Sequence, residues 1–202
     1  MSDPASPRPS WFAIVFLALL APLLGTVAGG GAALLTRGIY PIFLVPISAG
    51  LLVGAGLAIP IAMSGVRSRA LAVGLAAIAW ASLIVSFHYT EYRTSFQDAV
   101  AFSGAVDSGA DFGPDPALTE TVLTNITGRG DFLGFLELRV TSGARLRVLP
   151  GLGNSPVLAG ILWALDALLG LAAILFLVFR VQGRLGTPVT TAVAEAPGKV
   201  IF

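Results

Sequence analysis

Cysteine is absent from this 202-residue chain, which excludes a disulfide framework, thiolate-bound zinc, iron–sulfur clusters and thiol redox chemistry. Histidine occurs once, as His88. A Ser–His–acid triad would have to use that residue, and no Gly-x-Ser-x-Gly elbow accompanies it. No phosphate loop and no dinucleotide fingerprint is present. Charge is equally scarce: Lys, Arg, Asp and Glu make up 11% of the chain, against about a quarter in a soluble globular domain. So few charges cannot cover the surface of a water-soluble particle. The net charge of +1 gives no global field to recruit nucleic acid.

What is present is a set of apolar runs over residues 11–36, 39–66, 70–89 and 157–179, the last interrupted by Asp166. Each reaches the ~20 residues that a helix needs to cross a hydrocarbon core about 30 Å thick. The expected fold class is therefore an all-α membrane protein of four transmembrane helices. The first run is far longer than the roughly 7–15 residues of a signal-peptide core and turns straight into the second, so it reads as a retained span. Residues 1–10 form a short cytoplasmic leader and 180–202 a disordered cytoplasmic tail, rich in Gly and Pro and without apolar periodicity. Arg8, Arg67, Arg69, Arg180 and Arg184 all fall on one side if both termini are cytoplasmic, the orientation that positive charge near span ends favours. Arginine far outnumbers lysine beside abundant Ala and Gly, which suggests a GC-rich bacterial genome and an inner-membrane location. In that setting the Asn125-Ile126-Thr127 sequon carries no glycan.

Within the spans, Gly25/Gly29 and Gly50/Gly54 have the small-xxx-small spacing that lets helices approach closely. Packing inside one bundle is the main reading; association with another membrane protein, or with itself, through the same faces is the alternative. Pro22, Pro46 and Pro60 each remove a backbone hydrogen bond and are expected to kink or interrupt their helices.

Residues 90–156 hold 13 of the 23 charges and read as a small, mostly helical extracytoplasmic domain. Asp115-Pro116 offers an N-cap and first helical residue; Leu118, Val122, Leu123 and Ile126 then share a face, and Gly128 closes the element. Over 132–149 two patterns compete. Phe132, Phe135, Leu136 and Val140 fit a helix capped by Asp131, whereas alternation from Leu136 to Val148 fits a β-hairpin.

Three short motifs carry a resemblance: Gly134-Phe135-Leu136-Glu137-Leu138-Arg139 after Gly130-Asp131-Phe132-Leu133, His88-Tyr89-Thr90-Glu91-Tyr92 closing the third span, and Trp163-Ala164-Leu165-Asp166 in the last. Together they resemble uncharacterised bacterial four-helix integral membrane proteins with a G-F-x-G-[FY]-L-x-L-R stretch before the last span. This chain departs from that pattern by placing Asp131 between Gly130 and Phe132. The resemblance implies the architecture and brings no activity or cofactor. Phe135, Leu136 and Arg139 are its candidates for partner binding. Tetraspanins share the layout, but their large loop depends on paired cysteines, which are missing here.

Asp166 is the residue with most to say about chemistry. Nine positions into the fourth run, it would lie ~13 Å deep, near the bilayer centre, where an aspartate costs about 2.5–3.5 kcal/mol. It reads either as a proton or cation site or as a carboxyl hydrogen-bonded across helices, with Ser82, Ser86 and Trp163 as partners. His88, Tyr89, Glu91, Tyr92 and Arg93 suit an anchor at the outer interface; His88-x-x-Glu91 alone is too few ligands for a metal. Asp107, Asp111 and Asp115 lack calcium-loop spacing. The expectation is thus a non-enzymatic structural, accessory or interaction subunit with no cofactor or metal, whose certain partner is the lipid bilayer. The alternative is a small transporter or ion-conducting subunit built on Asp166.

Overall fold

The computed structural model describes residues 10–36, 43–100, 116–141 and 156–186, and among these it contains helices and no strand. Helix α1 spans Trp11–Leu35, α2 Leu44–Met63 and α3 Arg69–Glu91. A π-helical turn, Tyr92–Phe96, follows α3, and helix then continues to residue 100. Two short helices come next, α4 (Pro116–Thr127) and α5 (Phe132–Thr141), and then the long α6 (Pro156–Gly186). Helices α1, α2, α3 with its extension, and α6 are long and apolar enough to cross a membrane.

Their ends follow local chemistry. Ser10 and Ser68 place their hydroxyl oxygens to accept the N–H groups of Ala13 (3.2 Å) and Leu71 (3.3 Å) at the starts of α1 and α3. At the end of α2, the N–H of Gly65 donates to Ala62 O and that of Val66 to Ile61 O, both at 3.3 Å. This paired pattern needs a left-handed residue, and Gly65 supplies it at φ +66. Val66 and Ile61 are both fully buried, the apolar contact that accompanies such an ending.

The four long helices pair in an interleaved order. The closest partnerships are α1 with α3 and α2 with α6; α1–α2 and α3–α6 contacts are lighter. Both main pairs are parallel, since Gly25 meets Ala79 and Gly29 meets Leu83, while Gly50 meets Gly170 and Gly54 meets Ile174. A β-carbon on Gly25 would lie 2.1 Å from the Ala79 carbonyl oxygen, and one on Gly50 2.4 Å from that of Gly170. Both glycine pairs therefore face neighbours within the same chain. Leu17, Ala21, Val53, Leu57, Ile61, Leu75, Ala79, Ile174 and Val178 fill the space between. Outside, Phe12, Phe16, Leu19, Leu23 and Val27 of α1 stand exposed, a surface that water would not tolerate and lipid would.

Several expectations need correction. Pro22 and Pro60 do not interrupt α1 or α2, which run through them, and Pro46 lies in the first turn, where its missing N–H has no helical partner anyway. The second helix is shorter than its apolar run, and residues 37–42 lie outside the described part. Residues 180–186, expected to be tail, continue α6, which runs through Gly183 to Gly186. Of the two patterns open over 132–141 the helix is the one formed, with Asp131 as its cap: its carboxylate accepts the Gly134 N–H at 3.0 Å and its backbone carbonyl that of Phe135 at 3.1 Å. Ile126 does not share the inward face of α4, which is lined by Thr119 and Leu123. The acidic run 107–115, the hairpin's second half at 142–149, Arg8, Arg37 and the tail beyond 186 lie outside the described residues.

Candidate functional site at the distal end of the bundle

Call the end carrying Trp11, Met63, Arg69 and Gly186 proximal, and the end carrying Leu35, Leu44 and Glu91 distal. The described acidic residues all lie toward the distal end or in the helices beyond it. Asp166 does not meet Ser82 or Ser86. Those two serines point at α1: Ser86 Oγ donates to Thr26 O at 2.8 Å, and Ser82 Cβ lies against Gly25. Asp166 Oδ1 instead accepts the backbone N–H of Phe43 at 2.9 Å.

That bond has a clear physical cause. The first N–H groups of a helix have no partner within it, and Phe43, the N-cap of α2, has no side-chain oxygen to supply one. Phe43 also sits in the left-handed region, at φ 68, a conformation that costs a non-glycine residue about 1–3 kcal/mol. A carboxylate from α6 meets the orphan N–H and the positive end of the α2 dipole together.

The contact also sets the level of Asp166 within the bundle. Ala33, Val45 and Phe87 pack together in one layer, so the start of α2 is level with the distal ends of α1 and α3. Helix α2 has 20 residues, ~30 Å at 1.5 Å each, the full hydrocarbon thickness. Asp166 is level with its first residue, at the distal end of the bundle, and α6 starts well beyond that level.

Trp163 is one turn farther out and joins the interface group: its indole N–H donates to His88 Nε2 at 3.0 Å. Nδ1 of the same ring lies 3.4 Å from Glu91 Oε2 with no hydrogen bond between them. Glu91 pairs with Arg139 of α5. The pairs Trp163–His88 and Glu91–Arg139 thus tie α6 to α3 and α3 to α5. Around it Tyr92, Phe96, Phe132 and Phe135 form an aromatic cluster, with Phe135 5.3 Å from Phe96 and 5.4 Å from Tyr92 between ring centroids. Tyr89 meets Phe132 edge to face at 5.5 Å. Arg139 lies over the Phe135 ring.

The structure gives Phe135 and Arg139 partners within the chain. Phe135 is 2% exposed and packs inside the chain, and Arg139 is engaged by Glu91; Leu136 is only half-buried. Arg93, in contrast, is exposed, and Glu91 takes Arg139 rather than its near neighbour. Beyond the cluster, Arg129 and Asp131 form a two-point ion pair (3.0 and 3.3 Å). The Arg129 guanidinium first, and the Gly134 N–H second, hold the Asp131 carboxyl below the usual range. Among the described residues, no group of three or more His, Asp or Glu is placed to hold a metal ion.

Three polar links escaped the sequence reading. Trp80 donates its indole N–H to Ala167 O at 2.7 Å, Gln182 Nε2 to Val66 O at 3.1 Å, and Glu91 crosses to Arg139. A tryptophan in mid-span needs an acceptor, so Trp80 was the one with a readable signal. No protein-family model matches the chain, and neither a curated protein nor a solved structure is significantly similar to it.

Proposed function

We propose that this chain is a multi-pass α-helical protein of a bacterial cell membrane, acting as a non-enzymatic structural, accessory or interaction subunit. Both termini are cytoplasmic, and residues 90–156 lie outside as a small domain resting on the bundle. The resemblance to four-helix bacterial membrane proteins agrees with this layout. The observation that carries the reading is the bond from Phe43 N–H to Asp166. It gives the intramembrane acid a structural task at the edge of the apolar slab, where a conducting carboxyl would instead be expected near its middle.

The test uses the chain reconstituted in liposomes, with Asp166→Asn and Asp166→Ala beside the wild type. Proton and potassium flux should match protein-free vesicles in all three. Stability should fall in the order wild type, Asn, Ala. Asparagine retains an acceptor for the Phe43 N–H, whereas alanine leaves it unpaired at about 1–3 kcal/mol. A wild-type flux that Asp166→Asn abolishes would overturn the structural reading in favour of an ion-conducting subunit.

A further inference from the structure

The two ring nitrogens of His88 face different neighbours. Nε2 lies 3.0 Å from the indole nitrogen of Trp163 on α6. Nδ1 lies 3.4 Å from Glu91 Oε2, one turn on along α3. Both Nδ1 and Oε2 are buried, and neither has a hydrogen-bond partner. Glu91 Oε1 is taken by Arg139 of α5. Among the described residues, α3 brings Glu91 to the ring, with Tyr89 and Tyr92 beside it, and α5 brings Arg139. The next charged groups along the packed elements are Arg93 in the π-helical turn, Glu137 on α5 and Asp166 on α6. Helices α1 and α2, which also pack on α3, contain no titratable side chain.

The Trp163 bond carries a chemical condition. An indole N–H can only donate, so Nε2 has to offer a lone pair, and only the neutral imidazole has one. A neutral ring that accepts at Nε2 holds its own hydrogen on Nδ1, so an added proton goes to Nε2 and nowhere else. Two donors then face each other and the bond is lost. The imidazolium gains in exchange, because its charge lies beside Glu91 Oε2 while Oε1 keeps Arg139. Trp163 is 43% exposed, so its ring can turn away from α3 into its surroundings. Deeper in the bundle, Trp80 of α3 holds Ala167 O of α6 at 2.7 Å, a contact without a titratable group. Loss of the Trp163 bond therefore frees only the stretch of α6 beyond Ala167.

We infer that His88 and Trp163 form a proton-operated latch: neutral His88 holds the distal segment of α6 against α3, and protonated His88 releases it and pairs with Glu91. The latch adds regulation by acidity at the distal end and does not depend on the role given to Asp166.

The full chain in phospholipid nanodiscs is labelled with nitrogen-15 in its three tryptophan indoles and titrated from pH 8 to 4. The Trp163 and Trp80 peaks are assigned with Trp163→Phe and Trp80→Phe. The Trp163 peak should move from its bonded to its free position along a one-proton curve, in step with the His88 ring protons, while the Trp80 peak stays in place. In His88→Gln the amide oxygen still accepts the indole N–H and takes up no proton in this range, so the Trp163 peak should remain bonded throughout. The chain has no cysteine, so nitroxides at the exposed positions of Val85→Cys and Val157→Cys report the separation of α3 and α6. A longer separation should appear with the transition, and should be lost when His88→Gln is added. A Trp163 peak that stays fixed from pH 8 to 4, or that moves alike in His88→Gln, overturns the inference. So does a separation that stays fixed while the peak moves, since α6 is then held without the bond.

Discussion

Replacing Gly25 with alanine should damage the bundle far more than the same change at Gly31, six residues along the same helix. A β-carbon at Gly25 would meet the Ala79 carbonyl oxygen at 2.1 Å and Ser82 Cβ at 2.9 Å, whereas one at Gly31 finds nothing within 4 Å. The obstacle at Gly25 is backbone, which cannot rotate aside, so α1 and α3 must move apart. Regaining ordinary contact takes roughly 1 Å of separation, enough to forfeit a quarter to a half of each dispersion contact along the seam. Overpacking of this kind costs about 1–3 kcal/mol, and the rigid neighbour argues for the upper part of that range. Gly31→Ala should be neutral, or stabilise by up to about 1 kcal/mol through helix propensity. The readout is reversible unfolding of the full chain in mixed micelles, followed by tryptophan fluorescence and circular dichroism. Gly25→Ala should trail Gly31→Ala by at least 2 kcal/mol, about 30-fold in the unfolding constant. Two variants of equal stability would refute the parallel α1–α3 packing. If Gly25→Ala changed only the size of the solubilised particle, the glycine face would lie between chains instead of within one.

Phe135→Ala should detach α4 and α5 from the bundle without unfolding the spans. The ring is almost wholly buried, and removing a buried phenylalanine costs about 3–5 kcal/mol. Hydrogen exchange over 116–141 should therefore accelerate by about 100-fold or more while α1, α2 and α6 keep their protection; loss of protection everywhere would show that the small helices hold up the bundle. The cap at Asp131 should show a pH signature. Its carboxyl titrates below the ordinary value of 3.8 in the folded chain, so its contribution is complete above that value and fades as pH falls through the lower one. By carboxyl NMR, Asp131 should titrate below pH 4, and α5 helicity should hold from pH 7 to about 4 and drop beneath it. Asp131→Asn should remove that drop, and a transition near pH 6 would contradict the assignment to Asp131.

How much of this was legible follows from where each signal resides. A span announces itself by length and missing charge, so the four long helices could be read directly, as could the caps at Asp131 and Gly128. Pairing could not. The long helices are apolar nearly all round, and spacing such as Gly25/Gly29 marks a close approach without saying to what. That α1 runs parallel with α3, and α2 with α6, is settled by tertiary packing alone. Asp166 was legible as an acid in the wrong solvent, yet its partner is the backbone N–H of Phe43, which any residue there would carry. Its level beside the start of α2 was hidden for the same reason: position along one helix says nothing of where the neighbouring helix begins. Sequence also cannot show that Gln182 draws α6 onto the α2–α3 turn. At the distal end Asp166, Glu91 and Asp131 answer deficits inside the chain, namely an uncapped helix, a cationic side chain and a short helix start.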